Sequence, residues 1–189
     1  MSDNRMLTPT DVRRSTAVLL MGGNQGDRRA LLQAAVDLVA DRVGEVSRLS
    51  SLYETEPWGT FAEGTAQPFL NQAAVVLTEL TAEETLRRLQ DIERQLGRRR
   101  TDGDAGAAVA PASERLYASR PIDIDILLFN ADVVELPHLQ IPHPRMHLRR
   151  FALEPLCELM PAYEHPLLHR SLAELLAACP DTGAVKRLF

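Results

Sequence analysis

Apolar and polar residues along this chain follow two periods, and the change from one period to the other marks the predicted elements. Apolar residues at every second position, or in short unbroken runs, are typical of strands. This pattern predicts strands over residues 17–21, 45–54, 67–80 and 120–130. Apolar residues spaced by three and four positions are typical of helices. That spacing predicts helices after Asp27, after Thr81, over residues 148–160 and after Ser171.

Residues that cap helices support these boundaries. Asp27 is of the type that accepts a hydrogen bond from the first turn of a helix. Thr81 is followed three residues later by Glu84, which is the pattern of a capping box, and Ser171 opens the same pattern. Because such signals are local, they indicate where each helix begins but leave the arrangement of the helices open.

The order of the elements predicts the fold class. Strand, helix, strand, strand, helix and strand in succession indicate an α+β protein, a ferredoxin-like α/β sandwich with a mainly antiparallel sheet and helices packed on one face of it. Residues 131–136 are expected to return as a short hairpin. We expect residues 1–15 to form a disordered tail and residues 16–189 to form a single domain. Residues 98–119, rich in Ala, Gly, Ser and Asp, are expected to form a mobile loop over the site.

Composition excludes several classes of protein. A net charge of −5 and an aromatic content of 5% argue against a nucleic-acid-binding protein. No apolar run reaches the length of a membrane span, and the N-terminus lacks the apolar region of a signal peptide, so no membrane contact is expected. Cys157 and Cys179 lack a CxxC spacing, which favours a reduced protein in the cytoplasm. We expect a monomer.

The stretch RPIDIDILLFN, residues 120–130, carries the most informative chemistry. Its apolar residues fall on one face of the predicted strand, namely Ile122, Ile124, Ile126 and Leu128. Asp123 and Asp125 share the other face, about 6–7 Å apart, so their carboxylates can converge on one cation. Arg120 could supply a fixed positive charge for phosphates bound by the same cation. The alternative from spacing alone is an exposed edge strand with a solvated acidic face.

Other candidate residues are less specific when taken alone. Phe69 and Asn71 share a strand face, where a ring and an amide together could recognise a flat polar ligand. Equally, Phe69 could be a core residue and Asn71 a strand-end residue that bonds its own backbone. Glu93 lies close to the apolar stripe of the second helix, where a carboxylate would need a partner. The turn at residues 22–27 matches neither common phosphate-binding glycine motif.

Taken together, these stretches resemble the family of 6-hydroxymethyl-7,8-dihydropterin pyrophosphokinases, which act in folate synthesis. Six segments in the order of the family carry the resemblance: MGGNQGDR (21–28), SSLYETEPWG (50–59), PFLNQAA (68–74), IERQLGR (92–98), RPIDIDILLF (120–129) and IPHPRMHLRRF (141–151). The resemblance implies transfer of the β,γ-pyrophosphoryl group of ATP to the hydroxymethyl oxygen of the pterin, with release of AMP.

The resemblance also implies which residues form the site. Asp123 and Asp125 would bind two Mg²⁺ ions, and Arg100 and Arg120 would complete the catalytic group. The pterin would be bound by Thr55, Trp58, Phe69, Asn71 and Phe151, with the two phenylalanine rings on either side of it. ATP would be bound by Gln90, Glu93, Arg98, Arg100, Arg120, Ile126, His143 and Arg149.

Two other classes of function compete with this one. A different Mg²⁺-dependent nucleotidyl- or phosphotransferase could use the same fold with another acceptor, since fold alone does not fix function. A non-catalytic ferredoxin-like module could bind RNA or a regulatory ligand. The pterin site distinguishes the pyrophosphokinase from the other transferase, because Phe69, Asn71 and Phe151 must meet around a flat heterocycle. A non-catalytic pteridine binder would be expected to lose the pair Asp123 and Asp125.

Overall fold

The structure is a computed structural model, and it describes residues 14–57, 60–61, 67–98, 116–117 and 119–188. The strands found there are β1 (Ser15–Gly23), β2 (Glu45–Leu49), β3 (Leu52–Thr55), β4 (Thr60–Phe61), β5 (Phe69–Thr78), β6 (Leu116–Tyr117), β7 (Asp123–Phe129), β8 (Val134–Leu136), β9 (Leu139–Ile141) and β10 (Val185–Leu188). The α-helices are α1 (Arg28–Arg42), α2 (Ala82–Gln95), α3 (Arg150–Leu159) and α4 (Leu172–Ala177), and a single 3-10 turn precedes α3 at Met146–Leu148.

The main sheet has six strands, and every pair of neighbours in it is antiparallel. Its order is β10–β3–β5–β1–β7, with β2 pairing with β5 beside β3. The predicted α+β class with an antiparallel sheet is therefore confirmed. The hairpin return expected at residues 131–136 differs from the prediction, because β8 does not pair with β7 but forms a separate two-stranded hairpin with β9. Strands β4 and β6 form a separate parallel pair.

Helices cover both faces of the sheet, so the prediction of helices on one face is wrong. Ala17, Leu19 and Met21 of β1 point into a core cluster shared with α1 and α2. Val18 and Leu20 point into a second cluster shared with α3 and α4. The unbroken apolar run in β1 reflects this arrangement, because a strand that is buried on both faces has no polar side.

Two strands differ from the prediction because of local irregularities. The predicted strand at residues 45–54 is split into β2 and β3, since Ser50 both donates from its N–H to the carbonyl of Ala73 (2.9 Å) and accepts from the N–H of Ala73 at its Oγ (2.9 Å). In β7 the pairing with β1 shifts by one residue after Ile126. Leu128 therefore joins the second core cluster and not the isoleucine face on which it was predicted.

The C-terminal strand β10 was not predicted. Its four residues include the charged Lys186 and Arg187, so they show no clear apolar alternation. It pairs with β3 at the edge of the sheet, where Val185 lies opposite Thr55. The predicted helix at residues 148–160 begins later as α3, because Arg149 has an extended backbone. The capping boxes at Thr81 and Ser171 are present as predicted.

Glu158 of α3 joins that helix to the edge of the sheet. Its carboxylate accepts hydrogen bonds from the hydroxyl of Tyr53 (2.7 Å), from the N–H and hydroxyl of Ser51 (3.1 and 3.0 Å), and from the guanidinium of Arg187 (2.9 Å). Burial opposes ionisation of this carboxyl, but the hydrogen bonds from Tyr53 and Ser51 outweigh burial and lower its pKa. The ionised form is therefore the one that the fold stabilises.

We expect Glu158→Gln to lower the free energy of unfolding at pH 7 by about 1–3 kcal/mol, because bonds to a charged acceptor are lost. A lowered pKa stabilises the fold above the pKa of the unfolded carboxyl, and that stabilisation is lost as pH falls through the folded pKa. The difference from wild type should therefore shrink in acid. Urea titrations between neutral and acidic pH measure it. The control is Glu154→Gln, which removes only a pair with Arg150 one turn away. Equal effects of both variants would contradict this account.

Candidate functional site

One row of residues crosses three strands and connects the two groups of predicted site residues. Asp123 of β7 pairs with Gly22 of β1, and Gly22 pairs on its other side with Asn71 of β5. Residues paired in this way point to the same face of a sheet, and neighbouring strands lie about 4.8 Å apart. The carboxylate and the amide therefore stand two strands apart, with a residue that has no side chain between them.

Gly22 is required at this position because of the side chain of Asn71. A Cβ atom on Gly22 would lie 2.2 Å from Oδ1 of Asn71, far inside van der Waals contact. Asn71 itself is buried and donates from Nδ2 to the hydroxyl of Thr55 at 2.8 Å. The orientation of the amide is thus fixed by a neighbour on β3, and the alternative in which Asn71 bonds its own backbone is not what the structure has.

The aspartates share one face of β7, as predicted, and Asp123 is neutralised by two arginines. Arg120 donates to Oδ2 of Asp123 at 2.5 Å, and Arg98 forms an ion pair with Oδ1 of the same carboxylate. Arg98 also pairs with Glu93, which is the partner that the sequence analysis required for that buried carboxylate. Three residues predicted for ATP therefore gather around one of the two aspartates.

Strand β7 forms an edge of the main sheet, but the edge is not open to solvent. Glu93 accepts a hydrogen bond from the N–H of Ile124 at 2.8 Å, and the N–H of His143 donates to the carbonyl of Leu127 at 2.9 Å. Both groups occupy positions where a further strand would otherwise pair. The alternative of a solvated acidic edge strand is therefore excluded.

The two carboxyl groups of β7 differ in their ionisation. Burial is the largest cause that raises the pKa of Asp125, and the negative charge of Asp123 acts in the same direction; the resulting pKa is about 6. Burial also opposes ionisation of Asp123, but Arg120 and Arg98 outweigh it and lower the pKa of that carboxyl. Asp125 is thus the member of the pair whose charge is poorly compensated in the ligand-free chain.

The donor set suits a hard divalent cation bound together with a ligand. Among the described residues, no three His, Cys, Asp or Glu side chains gather in a way that could enclose a metal ion. Mg²⁺ is usually bound by one or two protein carboxylates plus phosphate oxygens and water, not by an all-protein cage. Asp123 and Asp125 fit that pattern, and a cation between them would offset the repulsion that raises the pKa of Asp125.

The aromatic residues predicted for the pterin lie where β5 and α3 begin. Phe69 is the first residue of β5 and Phe151 lies in the first turn of α3, and both side chains are half-buried. Phe69 stands opposite Thr55, two residues before Asn71 on the same face. The guanidinium of Arg149 lies 5.6 Å from the ring centre of Phe151, within range of a cation–π interaction.

His143 is held as a neutral ring near the aspartates. Its Nδ1 accepts a hydrogen bond from the N–H of Arg145 at 3.2 Å, which leaves the proton on Nε2. Burial and, after it, the positive charges of Arg149 and Arg145 lower the pKa of His143 to about 3. At neutral pH this side chain is therefore a hydrogen-bond donor at Nε2 and carries no charge.

The remaining predicted residues do not all join this group. Ile126 is buried in the core cluster on the opposite face of β7, and Gln90 is half-buried on α2. Trp58 and Arg100 lie outside the described residues. The predicted loop at residues 98–119 also falls mostly outside them, so its mobility stays a prediction.

Asn24 is the residue that the sequence analysis missed. Its buried side chain accepts from the N–H of Arg120 (2.8 Å) and donates to Oγ of Ser119 (3.0 Å) and to the carbonyl of Gln67 (3.3 Å). Asn24 thus joins the segments that lead into β5 and β7. The only signal in the sequence was a polar residue in a glycine-rich turn, and that turn matches neither common phosphate-binding motif.

Comparison with known proteins identifies the relatives of this chain. The family described as 7,8-dihydro-6-hydroxymethylpterin-pyrophosphokinase matches residues 18–161. A protein of Porphyromonas gingivalis named 2-amino-4-hydroxy-6-hydroxymethyldihydropteridine pyrophosphokinase is 42% identical over 149 residues, covering 78% of this chain and 92% of its own length. The protein of the same name from Bacillus subtilis is 40% identical, covering 76% of this chain and 77% of its own length.

Solved structures share the fold at much lower identity. A Plasmodium falciparum protein titled HPPK-DHPS superposes with a TM-score of 0.67 at 17% identity, covering 89% of this chain. This chain spans about half of that longer protein, 46% of its length. Among the helices that the structure describes, none has the length and apolar character needed to cross a membrane.

Proposed function

This chain belongs to the 7,8-dihydro-6-hydroxymethylpterin-pyrophosphokinase family, and from that premise we propose how its residues act. The reaction is transfer of pyrophosphate from ATP to the hydroxymethyl group of 6-hydroxymethyl-7,8-dihydropterin, which gives the pterin diphosphate and AMP in folate synthesis. The observation that carries the proposal is the row Asp123–Gly22–Asn71, which sets a carboxylate pair and a fixed amide on the same face of the sheet.

In this proposal Asp123 and Asp125 are the residues that would hold two Mg²⁺ ions beside the bound ATP. When bound, the ions neutralise the triphosphate and lower the pKa of an oxygen that they contact. Asp125 is suited to this role because burial and its neighbour leave its charge poorly compensated. The protein needs no dedicated base, since phosphoryl-type transfer depends mainly on positioning and on compensation of charge.

The cations around Asp123 bind the nucleotide. Arg98 and Arg120 neutralise that carboxylate in the ligand-free chain, and Glu93 holds Arg98 from the other side. Guanidinium groups bind phosphate oxygens with two parallel hydrogen bonds, so both arginines are suited to bind the triphosphate beside Asp123. His143 contributes an uncharged donor at Nε2, and Arg149, together with Gln90 and Arg100, completes the nucleotide-binding group.

The pterin lies between the rings of Phe69 and Phe151. Asn71 presents its amide to the polar edge of the heterocycle, and Thr55 and Trp58 belong to the segment that reads the same edge. A flat ligand between two rings gains stacking energy, whereas the amide distinguishes ligands that offer complementary donors and acceptors. Thr55 fixes the amide beforehand by accepting its hydrogen bond, which reduces the entropy lost on binding.

A coupled assay of phosphorus-containing products tests the proposed function. The protein, ATP, Mg²⁺ and 6-hydroxymethyl-7,8-dihydropterin should yield one AMP for each pterin consumed, because the β- and γ-phosphates leave together. The control acceptor is 6-methylpterin, which has the ring but no hydroxyl, and it should yield no AMP above background.

The same assay separates the competing functions. ADP as the product would indicate a phosphotransferase, and free pyrophosphate would indicate a nucleotidyltransferase. A chain that binds the pterin but converts no ATP would be a binding module. Any of these three results would overturn the proposal. A monomeric state and a cytoplasmic location stay predictions from the sequence.

A further inference from the structure

The helix that carries Phe151, α3, is not capped by the side chain of the residue directly before it. Arg149 occupies the capping position of α3, makes no capping hydrogen bond through its side chain, and no acidic residue follows in the first turn. By contrast α1, α2 and α4 are each capped by a side chain directly before the helix. The first N–H groups of a helix have no partner within it, so those of α3 need acceptors from elsewhere.

Asp181, thirty-one residues further along the chain, supplies such an acceptor. Its Oδ2 accepts a hydrogen bond from the N–H of Arg150 at 2.9 Å, and its Oδ1 accepts from the N–H of Gly183 at 3.0 Å. Both oxygens are therefore engaged, which fixes the carboxylate between the helix and the chain that follows. A negative charge at this end of a helix is also favoured by the helix dipole.

The residues that follow Asp181 connect it to the other side of the pterin site. The N–H of Ala184 donates to Oε2 of Glu56, and the N–H of Glu56 donates to the carbonyl of Ala184, both at 3.2 Å. Val185 then pairs with Thr55, which accepts the hydrogen bond of Asn71. Five residues, 181–185, thus run from the start of α3 to the end of β3.

We propose that Asp181 is a positioning residue for the pterin site, which it serves by fixing the first turn of α3, and with it Phe151, relative to Thr55 on β3. This inference rests on the proposed function, because it assigns the segment a task in that same site. The segment lies beyond residue 161, where the match to the family ends. A ring that stacks on a ligand must be placed to within a fraction of an ångström, and contacts behind it supply that accuracy.

Binding measurements on Asp181→Ala test the proposal. Titration calorimetry with 6-hydroxymethylpterin, a stable form of the acceptor, should give an affinity about tenfold weaker than wild type, since a small displacement of a positioned group has large effects. Asp181→Asn keeps an oxygen for the N–H of Arg150 and should restore affinity to within about threefold of wild type.

The matched control removes the cap of α2, which packs on the face of the sheet opposite to Asn71. Thr81 caps α2 and lies twelve residues before Glu93, about 18 Å along the helix. Thr81→Ala should lower the melting temperature about as much as Asp181→Ala, because both lose one cap, but should leave the affinity for the pterin unchanged. If Asp181 only stabilised the fold, Asp181→Ala and Thr81→Ala would either both weaken binding of the pterin or both leave it unchanged.

The outcomes separate this inference from the proposed function. If wild type binds the pterin and forms AMP while Asp181→Ala binds as wild type does, only the inference is overturned. It is also overturned if Asp181→Asn binds as poorly as the alanine variant, or if Thr81→Ala loses the same affinity. If wild type neither binds the pterin nor forms AMP, the proposed function is overturned, and the inference that rests on it is overturned as well.

Discussion

Asp125→Asn is expected to lower the turnover number about a thousandfold while the folded protein stays at least as stable as wild type. The loss of turnover follows because the amide cannot share a divalent cation with Asp123 as a second negative ligand. The retained stability follows because burial and the charge of Asp123 oppose the ionised form of Asp125 in the ligand-free chain. Removing a charge that the fold disfavours does not destabilise the fold.

Asp123→Asn is expected to lose turnover to the same degree but also to lose stability. Arg98 and Arg120 are neutralised by Asp123, and Arg98 has little exposed surface through which water could compensate. A buried cation that loses a charged partner is destabilising by about 3–5 kcal/mol, and by less here because Glu93 remains beside Arg98. The two aspartates thus share a function and differ in what they do for the fold.

Steady-state kinetics and thermal melting of both variants, with and without Mg²⁺ and a non-hydrolysable ATP analogue, measure this difference. The ligands should raise the melting temperature of wild type, because they bind only the folded chain, and should have little effect on either variant. The account fails if a folded variant turns over at near the wild-type rate with saturating Mg²⁺. The part of the account that concerns stability fails if Asp125→Asn is less stable than Asp123→Asn.

Asn71→Ala is expected to weaken binding of the pterin by about 1–3 kcal/mol, which is roughly fivefold to 150-fold in the dissociation constant. The polar edge of the bound heterocycle would be buried without the amide that satisfies it. Gly22→Ala should have a similar effect although it leaves the amide in the chain, because its Cβ would displace Oδ1 of Asn71. The agreement of two substitutions on different strands would localise the ligand to this row.

The control for both variants is Gln72→Ala. Gln72 follows Asn71 in β5 and points to the opposite face, where its Nε2 donates to the carbonyl of Ser50 at 2.8 Å. This variant should lose stability but keep its affinity for the pterin, as measured by titration calorimetry. Unchanged affinity in Asn71→Ala, or an equal loss in Gln72→Ala, would show that the pterin does not bind at this amide.

The sequence alone determined the features that depend on residues near one another in the chain. Alternation places Asp123 and Asp125 on one face of a strand whatever that strand pairs with. The capping boxes at Thr81 and Ser171 were predicted correctly for the same reason, because the two residues of each box lie three positions apart in the chain. The order of the elements was sufficient for the fold class, since few topologies accommodate it.

Tertiary structure alone decided which distant residues meet. The row from Asp123 through Gly22 to Asn71 exists only because β1 pairs with both β5 and β7, and no local pattern encodes that pairing. The shift in β7 moved Leu128 to the other face, because one irregular residue reverses the alternation after it. Asp181 reached the start of α3 across thirty-one residues. Such contacts depend on where the chain returns, and the free energy that selects them comes from packing of the whole fold and not from the preferences of a local segment.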